Sequence, residues 1–283
     1  MARSYAWIIL AYAVAVVAAG ITLRLLPLED PLWMALVGDV VATVVVFGFS
    51  FGLKNSSTYD PYWSVAPLPI VLFWIQAGAG FTGRNVLALG LVCIWGIRLT
   101  ANWIQRWRGL GDEDWRYVDL QRKHGRAYWA VSLSGIHLFP TLLVFLGLLP
   151  VWAATRSAEP MGWIDGLATF VVILAIAIEA RSDAELRTFL RSDPGPRAFL
   201  ATGLWKYSRH PNYFGEVLFW WGLFGFGVAA SSAYWWTAAG AVSMTLLFRY
   251  ISIPMMDERM MARRDGYREY ADRTSGLMPR PPR

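Results

Sequence analysis

Long apolar runs alternate with short polar connections along most of this chain. Residues 5–26 form the first run, with Arg24 near its far end, and residues 32–53 form the second after the turn Leu28-Glu29-Asp30-Pro31. A third, shorter stretch covers about 66–82 and opens on Pro67 and Pro69; Gly83-Arg84-Asn85 then turn the chain into a fourth near 86–105. A fifth lies at 133–154, a sixth begins near Trp163 and stays apolar to Ile178, and two more occupy about 216–231 and 233–251. Runs of this length approach the ~20 residues that carry a helix across a bilayer. The pattern predicts an all-α, polytopic integral membrane bundle of seven to eight transmembrane helices. The first run is longer than the apolar part of a cleaved leader, so it reads as a retained helix.

The polar connections carry the chemistry. Residues 54–65 have turn composition and include Tyr59, Asp60, Tyr62 and Trp63. Residues 106–132 are dense in charge, yet Trp107, Trp115, Tyr117, Tyr128 and Trp129 interleave with the charges. That mixture predicts a folded interfacial cap, because disordered tails are poor in aromatics. On the fourth helix Arg98 and Asn102 stand four residues apart and share a face; past Ile178, a continued sixth helix puts Glu179, Asp183 and Arg187 on one face at successive i, i+4 steps. The chain divides into N-terminal helices with their interfacial loop, 1–130, and a C-terminal bundle, 131–283.

Composition narrows the class. Of 283 residues, 56% are hydrophobic and 16% charged, against about 25% charged in a soluble domain. Many of the 16 Trp sit near the ends of the apolar runs, where indole rings prefer to lie. The net charge is +6, but the arginines lie in loops between apolar spans instead of forming the basic face of a polar domain, which argues against nucleic acid. Counted over eight helices, nearly all Lys and Arg of the connections fall on the side of 54–65, 106–132, 188–215 and the C-terminal tail, with only Arg84 and Arg156 in the connections opposite. That asymmetry puts both termini and the long loops in the cytoplasm. The single Cys93, inside an apolar run, excludes a disulfide framework.

The densest functional candidate is Lys206–Glu216, which holds Tyr207, Arg209, His210, Asn212, Tyr213 and Glu216 at the mouth of an apolar run. Arg209 suits a phosphate or carboxylate, His210 and Asn212 donate and accept, and the tyrosines offer stacking faces. Pro211 and Gly215 restrict and shape the backbone there. The plainer reading is a helix start with an interfacial aromatic belt. His124, His137 and His210 are the only histidines and lack paired spacing, so no metal site is expected. Neither a Gly-x-Ser-x-Gly elbow nor a Walker or Gly-x-Gly-x-x-Gly fingerprint is present. What remains is a set of arginines, tyrosines and carboxylates at helix ends, suited to a polyanionic ligand that carries a sugar.

The stretch Gly203–Glu216, preceded by Ser182-Asp183 and followed by Trp220-Trp221-Gly222, resembles the C-terminal half of the membrane steroid 5-alpha-reductases and their bacterial relatives of unassigned function. Arg-His-Pro-x-Tyr is shared with isoprenylcysteine-type membrane methyltransferases, and the tail from Asp257-Glu258 to Tyr267 and Tyr270 is similar to both groups. The resemblance covers about residues 165–283. It implies an integral protein of the bacterial inner membrane that uses NADPH to reduce an activated carbon–carbon double bond in a lipophilic, steroid- or polyprenoid-like enone. Residues 1–130 would then form the substrate side and 131–283 the cofactor side. The cofactor-binding residues it implies are Asp183, Arg187, Arg197, Tyr207, Arg209, His210, Asn212, Tyr213, Glu216, Arg249 and Arg259. The reductases place a tyrosine and a glutamate at the substrate carbonyl; here Asn102 stands in the tyrosine position and Asp60 is the nearest counterpart of the glutamate. An amide donates a hydrogen bond but delivers no proton, so the acid is left among Asp60, Tyr59 and Tyr62. The alternative is an S-adenosylmethionine-dependent membrane methyltransferase of a lipophilic substrate.

Overall fold

A computed structural model describes residues 1–282, and among these the regular structure is entirely helical. The chain forms two compact units, Met1–Ala158 and Glu159–Arg283.

In the first unit, α1 (Ala2–Leu25) and α2 (Pro31–Leu53) are long apolar helices, and Asp30 caps α2 by accepting from the Leu32 N–H at 2.7 Å. The third apolar run forms α4 (Pro67–Ala77), and the short α3 (Tyr62–Val65) before it lies in the 54–65 connection; a new helix starts at Pro67 because Pro67 and Pro69 are tolerated only at a helix start. Helix α5 (Gly83–Arg106) follows, N-capped by the Thr82 hydroxyl. The cap segment contains α6 (Trp115–His124), with Asp114 as its N-cap, and α7 (Tyr128–Val131). A π-helical stretch, Ser132–Leu138, then leads into α8 (Phe139–Thr155).

Hydrogen bonds fix the two ends of this unit. At one end the Asn55 amide donates to Leu110 O and Asp112 O, the Ser56 N–H to Glu113, and the Tyr117 hydroxyl to Asp60. At the other, the Ala79 N–H donates to Thr155 O at 2.7 Å and the Trp74 indole to Pro31 O at 3.1 Å. Gly78 is needed there, since a Cβ would stand 2.3 Å from Thr155 O. The broken pair α3–α4 therefore runs from one end of the unit to the other although α4 has only 11 residues.

In the second unit, α9 (Trp163–Arg191) packs along α10 (Pro211–Ala230), and α11 (Ala238–Leu247), α12 (Ile253–Arg263) and α13 (Tyr267–Arg273) complete it. Seven helical stretches among the described residues are long and apolar enough to cross a membrane: α1, α2, α5, Trp115–Thr155, α9, α10 and Ser232–Arg263. The division falls after Ala158 and not at the 130/131 boundary read from composition. The reason is packing: α8 belongs to the first unit through the Thr43–Thr141 hydroxyl pair at 2.8 Å, the Trp74–Phe145 ring contact and the Thr155 carbonyl.

Candidate functional site

The second unit is organised by a close antiparallel approach of α9 and α10. Ala168, Val172, Ala175 and Glu179 recur at helical spacing along one face of α9. A Cβ added at Gly225 would stand 2.7 Å from Ala168 Cβ, one at Gly222 would be 2.6 Å from Val172 Cγ2, and one at Gly215 would be 2.3 Å from Glu179 Cγ. Continued one turn further, the same register puts Ser182 and Asp183 level with Pro211 and Asn212. Glu179, Ser182, Asp183 and Glu216 are all buried. Glu216 accepts from the Trp220 indole at 2.9 Å, and Asn212 Oδ1 is buried with no hydrogen-bond partner. Sequence reasoning grouped Asp183, Asn212 and Glu216; they fall on two successive turns of this helix pair, Asp183 with Asn212 and Glu179 with Glu216.

The connection to α10 folds back on the polar end of α9. The Leu204 N–H donates to Glu185 at 2.9 Å and the Trp205 indole to Ser182 O at 3.3 Å. Gly203 makes this possible with φ +61°, where a Cβ would lie 2.4 Å from Glu185 Oε2.

Arg209 and His210 have different surroundings. Arg209 donates to both oxygens of Asp257, at 2.7 and 3.3 Å, and to the carbonyls of Ala271 and Thr274. His210 Nε2 lies 3.0 Å from Asp257 Oδ1, which also accepts from the Tyr267 hydroxyl at 2.7 Å. Burial pushes the Tyr267 hydroxyl well above its ordinary pKa, and the Asp257 carboxylate it bonds adds to the shift. Tyr213 stacks on the His210 ring, and Tyr207 is exposed beneath the Lys206 ammonium. Of the remaining basic candidates, Arg197 is exposed and pairs with Asp265, Arg249 lies over the Tyr250 ring, and Arg187 and Arg259 are half-buried.

The first unit holds a second polar cluster. The Tyr62 hydroxyl donates to Asp39 Oδ1 at 2.8 Å, Tyr59 bonds Thr141 at 2.7 Å, and the two tyrosine rings pack 5.3 Å apart. Asp60 faces elsewhere, toward the Tyr117 hydroxyl at 2.8 Å. Burial pushes the Asp60 carboxyl up to about 7, against the nearby Arg116 guanidinium and the Tyr117 hydrogen bond. Asn102 is half-buried on α5, one turn beyond Arg98. Between α3–α4 and α5 lies an apolar groove of about 300 Å³, floored by Gly96 and the Ser64–Thr100 hydroxyl pair.

Sequence reasoning missed two members of this cluster. Asp39 sits within the apolar run of α2, and His137 sits in the π-helical stretch with Nε2 2.9 Å from Ser50 Oγ. An ionisable residue inside an apolar span was the available signal for both. Among the described residues there is no group of three or more His, Cys, Asp or Glu able to hold a metal ion.

The fold and these buried polar clusters define a class: a polytopic, all-helical integral membrane protein whose helices carry two sets of enclosed ionisable groups. Within that class the chain belongs to the family described as "Protein of unknown function (DUF1295)", which matches residues 46–274. It is also similar to "Uncharacterized protein C594.04c" of Schizosaccharomyces pombe, 25% identical over 279 residues that cover 89% of this chain and 80% of that protein. No solved structure matches.

Proposed function

We propose that the protein is an NADPH-dependent membrane reductase of an activated carbon–carbon double bond in a lipophilic enone. One observation carries the reading: the two turns of the α9–α10 pair that hold Glu179, Asp183 and Glu216 also hold a buried Asn212 carbonyl oxygen with no partner. A set this rich in acceptors fits a ligand rich in donors, such as a nicotinamide carboxamide and ribose hydroxyls. Arg187, one turn beyond Asp183 on α9, and the half-buried Arg259 are the basic groups that suit the diphosphate. When bound, NADPH supplies a hydride to the carbon β to the carbonyl.

The chain's own part is to hold the ligands, exclude water and support charge on the carbonyl oxygen. In the first unit, Asp60 is an acid that titrates near neutrality and suits protonation, whereas the Tyr62 hydroxyl spends its one proton on Asp39 and supports that residue's position. The apolar groove beside α5 suits the hydrocarbon part of a lipophilic substrate. The loops that meet around Asn55 and Leu110 carry most of the positive charge of the unit, which orients that end to the cytoplasm.

The test uses purified full-length protein in lipid nanodiscs. NADPH fluorescence is titrated first, then its oxidation is followed with a panel of sterol and polyprenoid enones. Saturable NADPH binding and enone-dependent oxidation are expected. Tight S-adenosylmethionine binding that NADPH does not displace would replace this reading with the methyltransferase.

A further inference from the structure

Arg209 is the junction of three separate pieces of the second unit. Its Nε and Nη2 bond Asp257 on α12, and its Nη1 bonds Ala271 O and Thr274 O, the carbonyls that close α13. Four of the five N–H donors of a guanidinium are thereby engaged inside the protein. Its side chain is only 14% exposed, and that of Asp257 10%. The Arg209 backbone N–H donates to Ser275 O at 2.8 Å. From there the chain continues antiparallel to residues 207–209: the Ser208 hydroxyl donates to Leu277 O at 2.9 Å, and the Arg280 N–H to Tyr207 O at 2.9 Å. Leu277 is buried against Val217, Phe248 and Ile253. Gly276 passes so close that a Cβ there would stand 3.2 Å from Arg209 Nη2.

We propose that Ser275–Arg280 is a strap locked by Arg209, and that the strap positions the head of α10. Arg209 is thus a positioning residue that acts through Asn212 and Glu216 and does not itself touch a ligand. Arg209 precedes His210 and Pro211, the N-cap and first residue of α10, so any freedom at Arg209 passes directly to Asn212. The strap begins where the family match ends, at 274. A lysine at 209 has a single ammonium and lacks the planar fork, so it cannot hold a carboxylate and two carbonyls together. The consequence for dinucleotide binding rests on the function proposed above; the consequence for the order of α10 does not.

Three full-length proteins in nanodiscs are compared with a form ending at Thr274: wild type, Arg209→Lys, and Arg268→Gln as an exposed control. Amide exchange is read over 213–217 and NADPH binding by fluorescence. The expectation is at least tenfold faster exchange in the first turn of α10, and at least tenfold weaker NADPH binding, for Arg209→Lys and for the shortened form. Arg268→Gln should match wild type. A synthetic peptide of the last nine residues, Ser275–Arg283, should restore both readouts to the shortened form. Shortening that lowers the melting temperature but leaves exchange over 213–217 unchanged would overturn the strap's positioning role. If wild type binds no NADPH, the proposed function fails, and the exchange measurement alone still decides the strap.

Discussion

Gly215→Ala is the sharpest single probe of the α9–α10 contact. The added Cβ would meet Glu179 Cγ at 2.3 Å, Ala175 O at 2.9 Å and Glu179 N at 3.2 Å. The Glu179 side chain has room to rotate only by moving a buried carboxylate, and the carbonyl of Ala175 is helix backbone. The two helices must therefore part by a few tenths of an ångström, and overpacking of this kind costs about 1–3 kcal/mol. Against it stands the helix preference for Ala over Gly, worth about 0.5–1 kcal/mol. The net expectation is a loss of about 1–2 kcal/mol. Gly166→Ala supplies the control, since it lies on the same α9 and its Cβ would meet nothing within 4 Å; it should be neutral or gain up to about 1 kcal/mol. Both are measured by thermal unfolding in one detergent, followed by helical circular dichroism. A Gly215→Ala protein as stable as Gly166→Ala would refute the close approach, and with it the two turns on which Asp183, Asn212 and Glu216 meet.

Three other outcomes follow from the same geometry. Tyr62→Phe removes the hydroxyl that donates to buried Asp39, so stability should fall by about 1–3 kcal/mol in an unfolding titration, with NADPH affinity unchanged in the fluorescence titration. Asp60 has its folded pKa raised to about 7. The stability it contributes is full below about pH 4 and is lost as pH rises through about 7, so wild type should lose a few kcal/mol across that window relative to Asp60→Asn; parallel pH-dependent unfolding curves would exclude this. Gly203→Ala forces a Cβ onto φ +61° and against Glu185, costing about 1–2 kcal/mol in an unfolding titration.

The apolar runs were legible because hydropathy and length are local properties, and each of the seven long stretches overlaps a run read from the sequence, although α9 and Ser232–Arg263 extend more than ten residues beyond the apolar part. Trp115–Thr155 is longer at its start: the cap helix α6 and the run at 133–154 join into one stretch through α7 and the π-helical turn. The third run was legible as short; that it still reaches both ends of its unit depends on Gly78 and Thr155, which are far apart in sequence. The cluster Asp183, Asn212 and Glu216 could be proposed because Ser182-Asp183 and the stretch 203–216 each stand out alone. The environment of Arg209 could not be read, because its partner Asp257 is 48 residues away and a guanidinium looks the same in a sequence whether it meets a phosphate or a carboxylate. Asp39 was hidden for the opposite reason: its run is so apolar that one carboxylate does not change the helix assignment.

The head of α10 is held by devices that share no residue. Glycine contacts fix its distance from α9, the Glu216–Trp220 hydrogen bond fixes one carboxylate on its own helix, and the Arg209 lock fixes the chain immediately before it. Packing alone does not call for this. Alanine or leucine at 179, 183 and 216 would close the same helix pair without the several kcal/mol that enclosing each carboxylate costs. Gly215 is also spared a side chain at the one place where the Glu179 stem needs the room. On the function proposed above, the acids kept here despite that cost are the groups that meet the ligand, and the backbone constraints hold them in register for it.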